Sequence, residues 1–139
     1  MSSRASNGVR FEDNVWLEAK FSSCTFDNVV MRKDYYHTCT FWNIVLTDCN
    51  AGRVSAEKSR FVGCKWENGI YSGSTFRKCD FLHLTVSHAS VGNMLFKDCV
   101  FRDTELEDVE FYNVIFKNCQ FGRMPGELKG CKFIRCREL

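Results

Sequence analysis

Nine cysteines and three histidines are the residues in this 139-residue chain whose side chains could do chemistry. A thiolate beside an imidazole makes a nucleophile. Converging thiolates make a zinc site, and close pairs make disulfides. The spacing argues against the first two. Zinc sites favour short spacings such as Cys-x-x-Cys, and none occurs. Cys24, Cys39, Cys49, Cys64, Cys79, Cys99 and Cys119 are separated by multiples of five, whereas His37, His83 and His88 are out of phase with them. An element that turns those cysteines inward turns the histidines outward, so no Cys–His pair is expected. The sequence also lacks a phosphate-binding glycine loop, a His-Glu-x-x-His motif and a nucleophile elbow. The chain therefore reads as non-enzymatic, with no catalytic residue, metal or cofactor.

The element that positions the cysteines follows from the apolar residues. Stepping by five from Phe11 to Phe121 gives 23 positions, all of them apolar. At 45% apolar content, chance would produce this about once in 10⁸. Twelve of the 13 phenylalanines lie in the register, and only Phe133 does not. The seven in-phase cysteines sit two residues before such a centre. The unit is small-x-Phe-polar-x, as in Cys24-Thr-Phe-Asp-Asn28 and Cys99-Val-Phe-Arg-Asp103. A strand repeats every two residues and a helix every 3.6, so neither alone explains a period of five. One side of a square coil does. The centre and the residue two before it share the inner face of a short extended segment, and the next residues turn a corner. Four sides close a coil of 20 residues. Stacked coils pair at about 4.8 Å, and 23/4 sides give about six coils.

These residues resemble the pentapeptide-repeat family over Val9 to Arg123. The resemblance implies an all-β fold, a right-handed quadrilateral β-helix. Many members favour Ala at the early inward site and Leu at the centre, where this chain has Cys and Phe. That Phe/Cys-rich variety resembles the luminal domain of synaptic vesicle glycoprotein 2, as do Phe116-Lys-Asn-Cys-Gln-Phe121 and Lys129-Gly-Cys131. The resemblance implies binding by strand addition at an open coil edge, here Gln120 to Arg123 or Cys131 to Arg135. Bacterial members that protect DNA gyrase resemble duplex DNA, which implies a topoisomerase-binding DNA mimic as another alternative. Mimicry needs a long acidic face, and this chain carries a net charge of +2.

The 20-residue period assigns the chain to columns. Phe21, Phe41, Phe61, Phe81, Phe101 and Phe121 should form an unbroken ladder of stacked rings. Trp16, Tyr36, Ala56, Phe76, Phe96 and Phe116 should form another, and Ala51 with Ala56 predicts a locally thin core. The inward cysteines read as reduced packing residues, leaving Cys131 and Cys136 free for a local disulfide. Asp34 is the one ionisable inward residue, expected to bend the coil outward or to mark a polar site. Residues 1–8 read as disordered or as an N-terminal cap, 9–123 as the solenoid, and 124–139 as a loop and C-terminal cap. After the loop, Cys131-Lys-Phe133 reads as a unit resuming after a two-residue slip.

Function must then lie on the outer surface. Trp42, Val62 and Leu82 should be exposed neighbours, one per coil, forming an apolar partner-binding column. Lys58, Arg77, Lys78, Lys97 and Lys117, with His37 beside them, should form a basic column suited to an anionic partner. The chain reads as a protein-interaction module, with a protein partner or a second copy bound there. Direct nucleic-acid binding has the basic column in its favour but lacks an aromatic stacking platform. No run of about 20 apolar residues suggests membrane contact by this segment. The start lacks the apolar stretch of a signal peptide, and no Asn-x-Ser/Thr acceptor occurs. A cytoplasmic location is expected, the alternative being a lumenal or extracellular domain of a membrane protein.

Overall fold

The computed structural model describes residues 4–6, 9–123 and 128–139. It is a right-handed quadrilateral β-helix of about six coils, built from short strands, mostly of three residues. All strand pairs are parallel and, within the regular array, join residues 20 apart, as in Phe61↔Phe41 and Phe61↔Phe81. The first face carries the Phe21–Phe121 ladder. The second carries the centres Phe26 to Leu106, the third Phe11 to Phe111, and the fourth Trp16 to Phe116. The third and fourth faces join into one sheet because Ser90–Lys97 and Glu110–Lys117 run through their corner as single strands.

Each side ends on one residue in the left-handed region. From Asp13 to Asn118, every residue two after a centre has φ between 48 and 66°. Asn or Asp occupies 11 of these 22 corners, and Gly63 and Gly73 occupy two more. These are the residue types that enter this region at least cost. The corner N–H then donates to the next coil, as in Asn68 N to Ser87 O at 3.0 Å. Thus the residue two after each centre makes the turn, and the apolar centre fills the core.

The core follows the expected columns. Along the first face, neighbouring rings are stacked from Phe21 to Phe121, with centroids 4.7–5.1 Å apart and planes within 9°. On the fourth face Phe76, Phe96 and Phe116 stack in the same way. The two columns meet edge to face, as in Phe81–Phe96 at 6.0 Å and 72°. Ala56 interrupts the second column between Tyr36 and Phe76. There the core holds a cavity of about 90 Å³, whose lining includes Ala51, Ala56, Phe61 and Tyr71.

Cysteine does more than save space. Cys49 Sγ donates to Phe26 O at 3.1 Å and to Thr47 O at 3.4 Å, and Cys119 Sγ to Phe96 O at 3.2 Å and to Lys117 O at 3.4 Å. Ser59 fills the same kind of site, donating to Glu57 O at 3.0 Å. A small inward donor therefore serves carbonyls that the corner leaves inside. These S–H···O contacts are individually weak but recur through the array.

Asp34 does not bend its coil. Tyr35 keeps its 20-residue register with Val15 and Ser55. The buried carboxylate accepts from Asn14 N–H at 2.9 Å and Tyr36 O–H at 3.4 Å, so the side chain finds donors without moving the backbone. Burial of the carboxyl raises its pKa, against the lowering effect of the Asn14 N–H.

The ends depart from the period. Arg4–Ser6 pairs with Thr25–Asp27 at a 21-residue offset. The other residues of the expected 1–8 segment lie outside the described residues, as do 124–127 of the C-terminal loop. Phe133 stacks on Phe116, 17 residues earlier, at 5.0 Å. A two-residue slip would have set it above Phe111. The chain instead covers in 12 residues, from Phe121 to Phe133, what the regular coil covers in 15, so it rejoins one face further on. Arg137–Glu138 then pairs with Gln120–Phe121.

Candidate interaction surface

The two outer columns are built by register. Trp42 pairs with Val62 and Val62 with Leu82, so the three lie one coil apart on the outside of the Phe ladder. Their outward direction follows from strand alternation, because each is the residue after an inward Phe. Trp42 is 56% exposed, while Val62 and Leu82 are partly covered. Ser22 bounds the column below and Arg102 above.

On the fourth face Arg77, Lys97 and Lys117 are direct register partners, with Glu57 below and Ile134 above. Lys58 and Lys78 lie on the corner that follows. Their N–H groups donate to Arg77 O and Lys97 O, each at 2.9 Å, which ties the corner to the column. Among the described residues, none of these five cations is paired with a carboxylate. His37 continues the column below Glu57, and its Nδ1 lies 2.9 Å from Thr38 Oγ1.

The two columns are closer than their separate description suggests. The Lys58–Lys78 corner is where the fourth face passes into the first. Two residues beyond Lys58 comes Arg60, and two beyond that Val62. The cationic strip and the apolar strip therefore form one surface wrapped around a corner, an arrangement that follows from their separation of four residues on a five-residue side.

No catalytic grouping sits here. Seven cysteines are buried, and burial pushes the Cys64 thiol up to about 11. Cys131 and Cys136 are free, partly buried and on different faces, one over Val114 and the other over Cys119. The expected open edge splits. Gln120–Phe121 is covered on one side by Val100–Phe101 and on the other by Arg137–Glu138. Cys131–Ile134 pairs only with Glu110–Lys117 and ends its sheet among the described residues.

No family model and no curated protein matches the sequence. Among solved structures, the chain is similar to a pentapeptide repeat protein from the cyanobacterium Cyanothece 51142, with a TM-score of 0.60 and 11% identity. The match covers 84% of this chain and 89% of that one. A putative glycosyl hydrolase from Parabacteroides merdae follows at a TM-score of 0.43 and 12% identity, covering 91% and 84%. A trypsin-treated form of QnrB1, a plasmid-mediated fluoroquinolone resistance protein, follows at 0.36 and 11%, covering 99% and 92%. Only the first of these three scores supports a shared fold. The fold is that of the pentapeptide-repeat proteins. The five-residue register and the square coil together make this chain a Phe- and Cys-rich pentapeptide-repeat solenoid.

Proposed function

We propose that the chain is a non-enzymatic protein-interaction module. Its contact surface is the corner that joins the Trp42–Val62–Leu82 column to Lys58, Arg77, Lys78, Lys97 and Lys117. The observation that carries this reading is the exposure of Trp42 at the end of a register-aligned apolar column, beside cations with no carboxylate partner among the described residues. Exposed aromatic groups next to positive charge suit a partner that offers apolar contacts rimmed by carboxylates. A rigid coil holds the column without an ordering cost at the moment of binding.

The test compares wild type with the Trp42→Ser, Leu82→Ser double variant in size-exclusion chromatography and in pull-down from the native host. A dimer or a captured protein lost in the variant, while its circular dichroism is unchanged, supports the surface. Identical behaviour of the two proteins removes it.

A second reading is strand addition at the Cys131–Ile134 edge, supported by that strand's position at the end of its sheet. Pairing there adds backbone hydrogen bonds, so a bound peptide would slow amide exchange at residues 131–134 specifically. The DNA-mimic reading draws less support. Between Lys65 and Glu107 the outward residues of the second face are Lys65, Glu67, Thr85, Ser87, Glu105 and Glu107, a mixed column. A cytoplasmic location is proposed from the thiol ladder, which suits a compartment that keeps cysteine reduced.

A further inference from the structure

Two corners of the solenoid carry a histidine directly beneath an aspartate. At the corner after the first face, His83 Nδ1 lies 3.4 Å from Asp103 Oδ2. At the corner after the second, His88 Nδ1 lies 3.4 Å from Asp108 Oδ2. The corners differ in the residue before the aspartate, Arg102 in one and Glu107 in the other. In the second corner, donor atoms of His88, Glu107 and Asp108 all lie within 4.8 Å of one another. We propose that His88, Glu107 and Asp108 form a site for a divalent first-row transition ion of the Co²⁺, Ni²⁺ or Zn²⁺ class.

Imidazole with carboxylates suits these ions. Metal–ligand distances of about 2.0–2.2 Å place tetrahedral ligands roughly 3.3–3.6 Å apart, which the His88–Asp108 distance already meets. Rotation of the exposed Glu107 side chain supplies the remaining closure, and water completes the coordination. The backbone holds the partners in place without the ion. His88 and Asp108 both occupy the left-handed corner, at φ 49 and 48°, and His88 N–H donates to Glu107 O at 2.8 Å. The charge is unbalanced as well. Glu105, Glu107, Asp108 and Glu110 fall within six residues. Among the described residues neither Glu107 nor Asp108 is paired with lysine or arginine. A divalent cation relieves that repulsion and ties the fifth coil to the sixth.

The His83 corner is the internal control, because a positive guanidinium replaces the third ligand. The probe is Co²⁺, titrated into isotope-labelled protein, and the reading is paramagnetic broadening of assigned amides. In wild type the broadening should centre on residues 87–88 and 107–108 and should saturate. Loss of an outer-shell partner alone weakens a metal site by about 10–100-fold. His88→Ala and Glu107→Gln, which remove ligands, should each weaken binding at least about tenfold. His83→Ala should leave it unchanged, and Arg102→Glu should create a second centre at His83 and Asp103. Amide shifts away from the corner report that each variant is folded. The proposal is overturned by broadening that never saturates, that centres on Cys131 or Cys136, that affects both histidine corners of the wild type equally, or that survives Glu107→Gln.

Discussion

Ala56 sits where a ring would otherwise stand. It lies between Tyr36 and Phe76 in the fourth-face column and lines the cavity of about 90 Å³. Replacing it by leucine should stabilise the protein. Two routes to the magnitude agree. Residual cavities cost about 24 cal/mol per Å³, so filling this one gains about 2 kcal/mol. Three added carbons at about 0.8 kcal/mol each give about 2.4 kcal/mol. Off-rotamer strain in a well-packed core costs about 1–3 kcal/mol and would cancel the gain if the void did not reach Ala56. The expected net is a stabilisation of about 1–2 kcal/mol. Equilibrium urea unfolding measures it as a higher midpoint at unchanged slope, and thermal melting as a rise of about 2–4 °C per kcal/mol. The informative companion is Phe61→Ala, which enlarges the same cavity and should cost about 3–5 kcal/mol. A destabilised Ala56→Leu protein would refute the reasoning, since it would mean that the coil closes over the alanine layer in solution.

Ser22→Ala, on the outer side of the ladder and away from the cavity, should change stability by no more than about 0.5 kcal/mol. Phe101→Ala removes a ring stacked on both sides and should cost about 3–5 kcal/mol in the same unfolding measurement. Asp34→Asn should stabilise the protein at neutral pH. Burial raises the folded-state pKa of Asp34 above its unfolded value. The cost of the buried carboxylate is therefore fully present above the folded pKa and disappears as pH falls below the unfolded one. The advantage of the asparagine should shrink over that acid window, and a wild type more stable than Asp34→Asn at pH 7 would contradict the sign. A thiol reagent should modify Cys131 and Cys136 first in the native protein and reach the seven buried cysteines only on unfolding. Rapid modification of Cys99 in the folded state would contradict the packing.

Much of the solenoid is legible in the sequence because one local rule repeats. Phe61 needs no knowledge of distant chain to be placed, since the 20-residue period alone puts it between Phe41 and Phe81, where the rings stack at 4.7 and 4.8 Å. The surface columns follow in the same way, and so does the thin core at Ala51 and Ala56. The corners carry a further signal. Asn and Asp recur two residues after the centres, at the position that must enter the left-handed region. The His88–Glu107–Asp108 cluster obeys the same period, yet its significance depends on which way three side chains turn at a corner.

By itself, then, the amino-acid order determined the square coil, its inward stacks and its outward columns, because each five-residue unit satisfies its own corner and its own share of core. Only the tertiary structure decided where periodicity ends. It placed Phe133 on Phe116 rather than Phe111, laid Arg137–Glu138 over Gln120–Phe121, and gave Asp34 the Asn14 N–H as a partner inside an unbent coil. The physical reason is that these outcomes depend on how far a loop reaches and on which buried donors lie near, quantities set by packing between coils and not by any single repeat.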